Sequence, residues 1–321
     1  MIQRTLLVLL VLLVGLRVQA LPDYSAGLLE VEAVMAVAAK VTAERFPNAD
    51  SVLVDDHIIE EYEPDGTSIS YDDTFVKVLT EKGRRESSTL SRQFTLPYGE
   101  AGFTLVEVIK PDGTRRPVDL ASMSRVMVDR SQMGSNIFNP NSKVLQVTVP
   151  DLAIGDVVRY VAKSETLKPR VPNTWSEYQV FEYTDPIVRL VYEVRAPQSL
   201  PLQNIVLKDE VAGTVAFTQS EADGRIVYRW EVANVPQMYD EPKMPPLYTV
   251  VQRLLVSTIP DWQYVSQWYW RLSEPHLECT PEMKAKVAEL TKGLTDRDER
   301  IAALFRFVSQ EIRYMGITVE E

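Results

Sequence analysis

Between residues 51 and 259 the chain is a nearly unbroken succession of short β-branched and aromatic segments separated by turn residues, and nothing else in its 321 residues limits the fold as strongly. The segments are 67–79, 87–96, 103–109, 145–149, 157–167, 175–182, 187–195, 214–219 and 226–232. Two alternate cleanly, Val188-Arg189-Leu190-Val191-Tyr192-Glu193-Val194-Arg195 and Ile226-Val227-Tyr228-Arg229-Trp230-Glu231-Val232. Each should bury one face and wet the other. Pro64-Asp65-Gly66, Pro111-Asp112-Gly113 and Ala222-Asp223-Gly224 sit between such segments, where Asp-Gly supplies the positive φ of a tight hairpin. Glu81-Lys82-Gly83 reads as a fourth turn. Many short strands at regular spacing predict a mainly β fold: an antiparallel β-sandwich of the immunoglobulin-like or super-sandwich kind. The flanks of the hairpins do not align, so the shared turns mark common turn chemistry, not a repeat.

Helix is expected at both ends. Over 26–46, Leu28, Val31, Met35, Ala38, Ala39 and Thr42 follow helical spacing, and Pro47 stops the run. This helix should pack across the outside of the β domain. Residues 133–143, with Gly134, Asn136, Asn139, Pro140 and Asn141, read as an exposed loop. Glu241-Pro242-Lys243-Met244-Pro245-Pro246 reads as a linker before one last strand at 250–259. Asp261 caps a helix reaching 272. Thr280-Pro281 opens a second, with Met283, Val287 and Leu290 inside and Gly293 closing it. Asp296 with Glu299 makes the capping box of a third, in which Ile301, Leu304, Phe305, Val308 and Ile312 form the stripe to be buried. The expected organisation is a signal peptide at 1–20, an N-terminal helix within 21–50, a β-sandwich domain at 51–260 and a helical segment at 261–321.

Arg4, the apolar run 6–14 and Val18-Gln19-Ala20 form an export signal with a small-residue cleavage site. Cleavage after Ala20 leaves a mature chain without a membrane span, in the periplasm or secreted; an uncleaved anchor is the alternative. Of the 34 basic residues, Arg4 and Arg17 leave with the signal, so 32 face 45 acidic ones and the net charge is −13. Such a surface repels nucleic acid and anionic lipid. Cys279 is the single cysteine, so no internal disulfide can form and burial must stabilise the fold. That suits a bacterial envelope.

Val78-Leu79-Thr80-Glu81-Lys82-Gly83-Arg84, Ile109-Lys110-Pro111-Asp112-Gly113, Pro150-Asp151-Leu152, Gly155-Asp156-Val157-Val158-Arg159-Tyr160 and the closing Ile312-Arg313-Tyr314-Met315-Gly316-Ile317 come after the signal in a telling order. Together they resemble bacterial exported proteins that join a DUF3857 β-sandwich to a transglutaminase-like domain. The resemblance implies a papain-like catalytic domain, in which a Cys at a helix N-terminus is the nucleophile, a His the base and an Asp its orienter. The matching positions would fall beyond residue 313, and none occurs in this sequence, so no catalytic residue is carried over. The helix over 296–313 and the strand start at 314–319 read as the opening of that second domain, cut or split from this chain. The missing catalytic domain is the expected partner, with a peptide or cell-envelope substrate, and no cofactor is expected.

Candidate chemistry within the chain is sparse. His276 and Cys279 stand three residues apart before a Pro-opened helix, but Glu274 and Glu278 oppose thiolate formation, so Cys279 reads as an inert linker thiol. With His57 and His276 as the only histidines, a tetrahedral zinc site is not expected, and His57 reads as a sheet-face residue. Asp55-Asp56 and Tyr71-Asp72-Asp73-Thr74 could offer oxygens to calcium, but neighbouring strand residues point to opposite faces. They read as solvated strand edges. Trp262, Tyr264, Trp268, Tyr269 and Trp270 could stack on a glycan or peptide, but read better as a buried seam between the sandwich and the domain after it. The expected function is a non-catalytic β module of an exported transglutaminase-like protein; the alternative is a free-standing envelope protein that binds peptide or glycan.

Overall fold

Asp-Gly turns and strand alternation set the framework. Gly66, Gly113 and Gly224 take φ of +88°, +84° and +75°, closing the three expected hairpins. The protein is described by a computed structural model covering residues 22–130, 132, 137–313 and 316–317. The expected signal at 1–20, the first part of the expected loop (133–136) and most of the closing strand start fall outside the described residues.

In chain order the elements are α1 (Val31–Ala38), β1 (Ser51–Tyr62), β2 (Ser68–Val78), α2 (Glu81–Ser87), β3 (Thr89–Thr95), β4 (Gly99–Ile109), β5 (Arg115–Pro117), α3 (Leu120–Met123) and β6 (Ser124–Val128). Then come β7 (Ile137–Phe138), β8 (Ser142–Thr148), β9 (Val157–Thr166), β10 (Ser176–Val180), β11 (Ile187–Pro197), β12 (Asn204–Lys208), β13 (Val215–Ala222), β14 (Arg225–Val235) and β15 (Arg253–Ser257). α4 (Trp262–Ser273), α5 (Pro281–Leu290), α6 (Arg297–Arg306) and β16 (Gly316–Ile317) complete the order. Eight strands form one sheet in the order β13-β14-β11-β1-β2-β9-β4-β5, antiparallel except for the parallel β1–β11 pair. Two three-stranded sheets, β3-β8-β6 and β10-β15-β12, form a second layer. β16 pairs with β7. The fold is mainly β and sandwich-like, with helices at both ends, as the turn and strand pattern predicts.

The core is divided in the same way. Trp175, Phe181, Leu254 and Val256 pack on Ile58, Tyr62, Leu190, Tyr192 and Trp230. Val147, Val149 and Leu90 pack on Val78, Val106, Val108 and Val158. On the opposite face of the large sheet, Val34, Ala38, Val41 and Ala49 cover Val52, Val54, Phe75, Ile109 and Val157. Each large apolar side chain so buried contributes about 1.5–3 kcal/mol, enough in sum to dispense with cross-links.

Several expectations need correcting. The N-terminal helix is confined to Val31–Ala38. Beyond it Arg45 and Phe46 both donate to Thr42 O, a turn that lets Val41 and Ala49 reach the sheet; packing overrides helical spacing there. Glu81-Lys82-Gly83 is no hairpin. Thr80 caps it, its hydroxyl accepting from Gly83 N at 3.2 Å, and α2 begins. Gly83 is needed for close approach, since a Cβ there would lie 2.1 Å from Asp50 O. The stripe of α6 is not covered: Ile301, Phe305, Val308 and Ile312 are all exposed. Nor is α4 a buried seam. None of its residues is buried, and Trp262 is 85% exposed. A long hydrogen bond from Tyr264 Oη to Pro172 O at 3.5 Å links it to the segment before β10. Among the described residues no helix is long and apolar enough to cross a membrane.

Candidate functional site

β1 and β2 carry the acidic residues singled out above, in the register Asp56↔Thr74, His57↔Asp73, Ile58↔Asp72 and Glu60↔Ser70. Strand alternation divides them between the two faces of the large sheet. Asp56, Glu60, Asp72 and Thr74 turn towards the second layer; Asp55, His57 and Asp73 turn the other way. None is a solvated strand edge. Asp55, Asp56 and Asp73 are all buried, Asp73 completely, because β1 and β2 lie in the middle of eight strands. The sequence clue was the set of partners at strand spacing: Arg159 on β9 and Arg189 on β11.

On the outer face every acid named here has a basic partner. Arg159 grips Asp73 with Nε and Nη2, both at 2.9 Å, and reaches Glu107 at 3.3 Å. Asp73 also accepts from Leu28 N and Leu29 N at 2.7 and 2.9 Å, which fastens the N-terminal segment to the sheet. Arg189 joins Asp55 to Glu231, and Glu193 joins Arg195 to Arg229. His57 sits among these groups. Its Nε2 is buried without a hydrogen-bond partner, and burial lowers its pKa to about 4. Among the described residues no group of three metal-ligating side chains occurs.

The inner face is a cleft. The two halves of the second layer stand apart, β3 on one side and β10 on the other, with β1, β2 and β9 as the floor. One part, about 450 Å³, has Glu60, Ser68, Ser70 and Asp72 below it, Gln93 and Thr95 on the β3 wall, and Glu177 and Gln179 on the β10 wall. A second part, about 430 Å³, adds Asp56, Thr74, Tyr160 and Tyr183. Both contain Asp72, Arg92 and Gln179, so the two parts adjoin. The size of each part matches that of ordinary ligand pockets.

Two carboxyl pairs anchor the walls to the floor. Arg92 of β3 pairs with Asp72, and the Thr74 hydroxyl bridges Asp72 and Asp56. Burial holds the Asp56 carboxyl well above the usual range, and repulsion by Asp72 raises it further. Glu60 accepts from Trp175 Nε1, Ser68 Oγ and Tyr192 Oη, each at 3.2 Å. Burial, then the nearby Glu177, pushes its pKa to about 8. Glu177 is solvent-exposed along the cleft, yet the protein packed around it still raises its carboxyl. The cleft therefore offers donors, acceptors and neutral acids. It brings no thiol or imidazole together: His276 and Cys279 are exposed between α4 and α5, and His57 is on the far face. Glu60, Arg92 and Glu177 were not singled out from the sequence. Single charges within strands carry no signal there without the pairing of the sheets.

The sequence family described as a "Domain of Unknown Function with solved-structure structure (DUF3857)" matches residues 64–239. No curated protein matches the chain. The crystal structure of a "putative protease" from Parabacteroides distasonis ATCC 8503 is similar over 82% of this chain and 50% of that one, with a TM-score of 0.64 and 14% identity. At that identity the likeness is one of fold, and the present chain spans about half the length of that protein. An M1 zinc metallopeptidase from Deinococcus radiodurans aligns over 64% of this chain and 42% of that one, at 12% identity and a TM-score of 0.34, too slight a likeness to bear on fold or function.

Proposed function

We propose that this chain, which belongs to the DUF3857 family, is a non-catalytic substrate-recruiting β module of an exported bacterial protein with transglutaminase-like or protease chemistry. The observation that carries this reading is the inner cleft, whose polar walls and floor suit binding. Further support comes from the fold shared with half of a "putative protease" chain. The recruited substrate is a peptide, and the site of action is the periplasm or beyond.

Purified protein tested with peptides carrying Gln and Lys should neither hydrolyse nor cross-link them, yet should retain peptides at equilibrium. Turnover by the chain alone would sink the non-catalytic reading. Failure to retain any peptide would sink recruitment.

The rings of Trp262, Tyr269 and Trp270 favour a second reading, a free-standing envelope protein that binds glycan or peptide, because they are exposed on α4. Glycan binding that disappears with Trp262→Ala and Trp270→Ala would select it.

A further inference from the structure

The second layer of the sandwich is interrupted at one place, and both strands at the interruption are sheet edges. β3 ends the order β3-β8-β6, and β10 ends the order β10-β15-β12. Residues of both line the two adjoining parts of the cleft: Arg92, Gln93 and Thr95 from β3, and Glu177, Tyr178, Gln179 and Val180 from β10. The hydrogen-bond parity of each strand fixes which backbone groups face it. In β3, Ser88 O and Leu96 N bond across to Val149 and Asn141, so even-numbered residues serve β8 and the N–H and C=O of Ser91 and Gln93 point away from it. In β10, Trp175 O and Phe181 N bond to Thr258 and Gln252, so odd-numbered residues serve β15 and those of Tyr178 and Val180 point away.

On the β10 side these groups are held by side-chain stand-ins. Glu177 Oε1 accepts from Tyr178 N at 2.8 Å, and Gln179 Nε2 and Tyr183 Oη donate to Val180 O at 3.0 and 3.1 Å. Open strand edges template the addition of another strand, and short polar edges with local side-chain caps restrain that addition without abolishing it.

We propose that the cleft takes an extended peptide by strand addition, the peptide lying between β3 and β10 and joining the two half-sheets into one. The inference rests on the reading of the cleft as a binding site and specifies its mode. Alternate side chains of such a peptide would face Ser68, Ser70, Asp72 and Glu60 on the floor, a polar surface that takes small hydroxylic or cationic residues and rejects large apolar ones. The displaced Glu177 carboxylate then lies within the cleft, available to a cationic side chain.

Decapeptides selected from a random library on the whole protein are the probes. Binding should slow amide exchange at Ser91, Gln93, Tyr178 and Val180. N-methylating alternate amides of a selected peptide should weaken it about tenfold or more in either parity, because one parity spends its N–H groups on the β3 edge and the other on the β10 edge. Gln93→Pro and Tyr178→Pro, which remove edge donors, should weaken binding similarly without loss of the folded state. Peptides that bind but tolerate methylation in one or both parities, or that protect amides elsewhere, would overturn strand addition across the two edges and leave recruitment standing. Protection of the same amides on raising protein concentration alone would assign the gap to a second copy and overturn the peptide. Selection of no peptide would overturn recruitment as well.

Discussion

Trp175 donates its indole N–H to Glu60 at 3.2 Å, joining the segment that leads into β10 to the middle of the large sheet. The same indole stacks on Tyr62, ring centroids 4.5 Å apart. One wall of the cleft is thus positioned by a buried carboxyl whose charge state depends on pH.

Glu60→Gln should flatten the stability profile above pH 5. The carboxyl has an ordinary pKa of 4.5 when unfolded and about 8 when folded, so the folded state holds the extra proton. Its contribution is complete below pH 4.5 and is lost as pH rises through 8, by up to about 5 kcal/mol. Gln keeps the neutral form, and the variant should gain on the parent towards pH 8 in urea unfolding. A variant with an unchanged profile would contradict the assignment.

His57→Gln should act at the acid end. Folded His57 has a pKa of about 4 against 6.5 unfolded, so the folded state binds fewer protons between these values. Stability from this group is complete above pH 6.5 and falls by about 3 kcal/mol as pH approaches 4. The variant should lose that slope, read from unfolding midpoints between pH 4 and 7.

Arg159→Met should destabilise by about 3–5 kcal/mol, since it leaves Asp73 and Glu107 buried without their partner. Adding Asp73→Asn should recover part of the loss. Chemical denaturation of the single and double variants measures both steps.

Cys279→Ala should change stability by no more than about 0.5 kcal/mol, because the thiol is exposed. Peptide retention should be unaltered. A large loss of either would place Cys279 in the working part of the protein.

Amides of α4, α5 and α6 should exchange much faster than those of β1 and β11. The helices bury no residue, whereas β1 is buried along nearly its whole length. Hydrogen exchange read by mass spectrometry tests this, and equal protection would refute it.

Local rules settled a good deal. The Asp-Gly pairs at 65–66, 112–113 and 223–224 dictated hairpins because positive φ is a property of the residue, needing no context. Alternation in 188–195 and 226–232 likewise dictated strands, since period two is local, and the expected caps at Asp261, Thr280 and Asp296 all accept from the first turn of their helices. Which strands lie side by side was decided only in three dimensions. That choice put Asp55, Asp56 and Asp73 inside rather than at an edge, set Glu60 under Trp175, and left β3 and β10 facing one cleft. Burial and charge pairing depend on contacts far apart along the chain. A period-two pattern tells which face a side chain takes and is silent about what that face will meet.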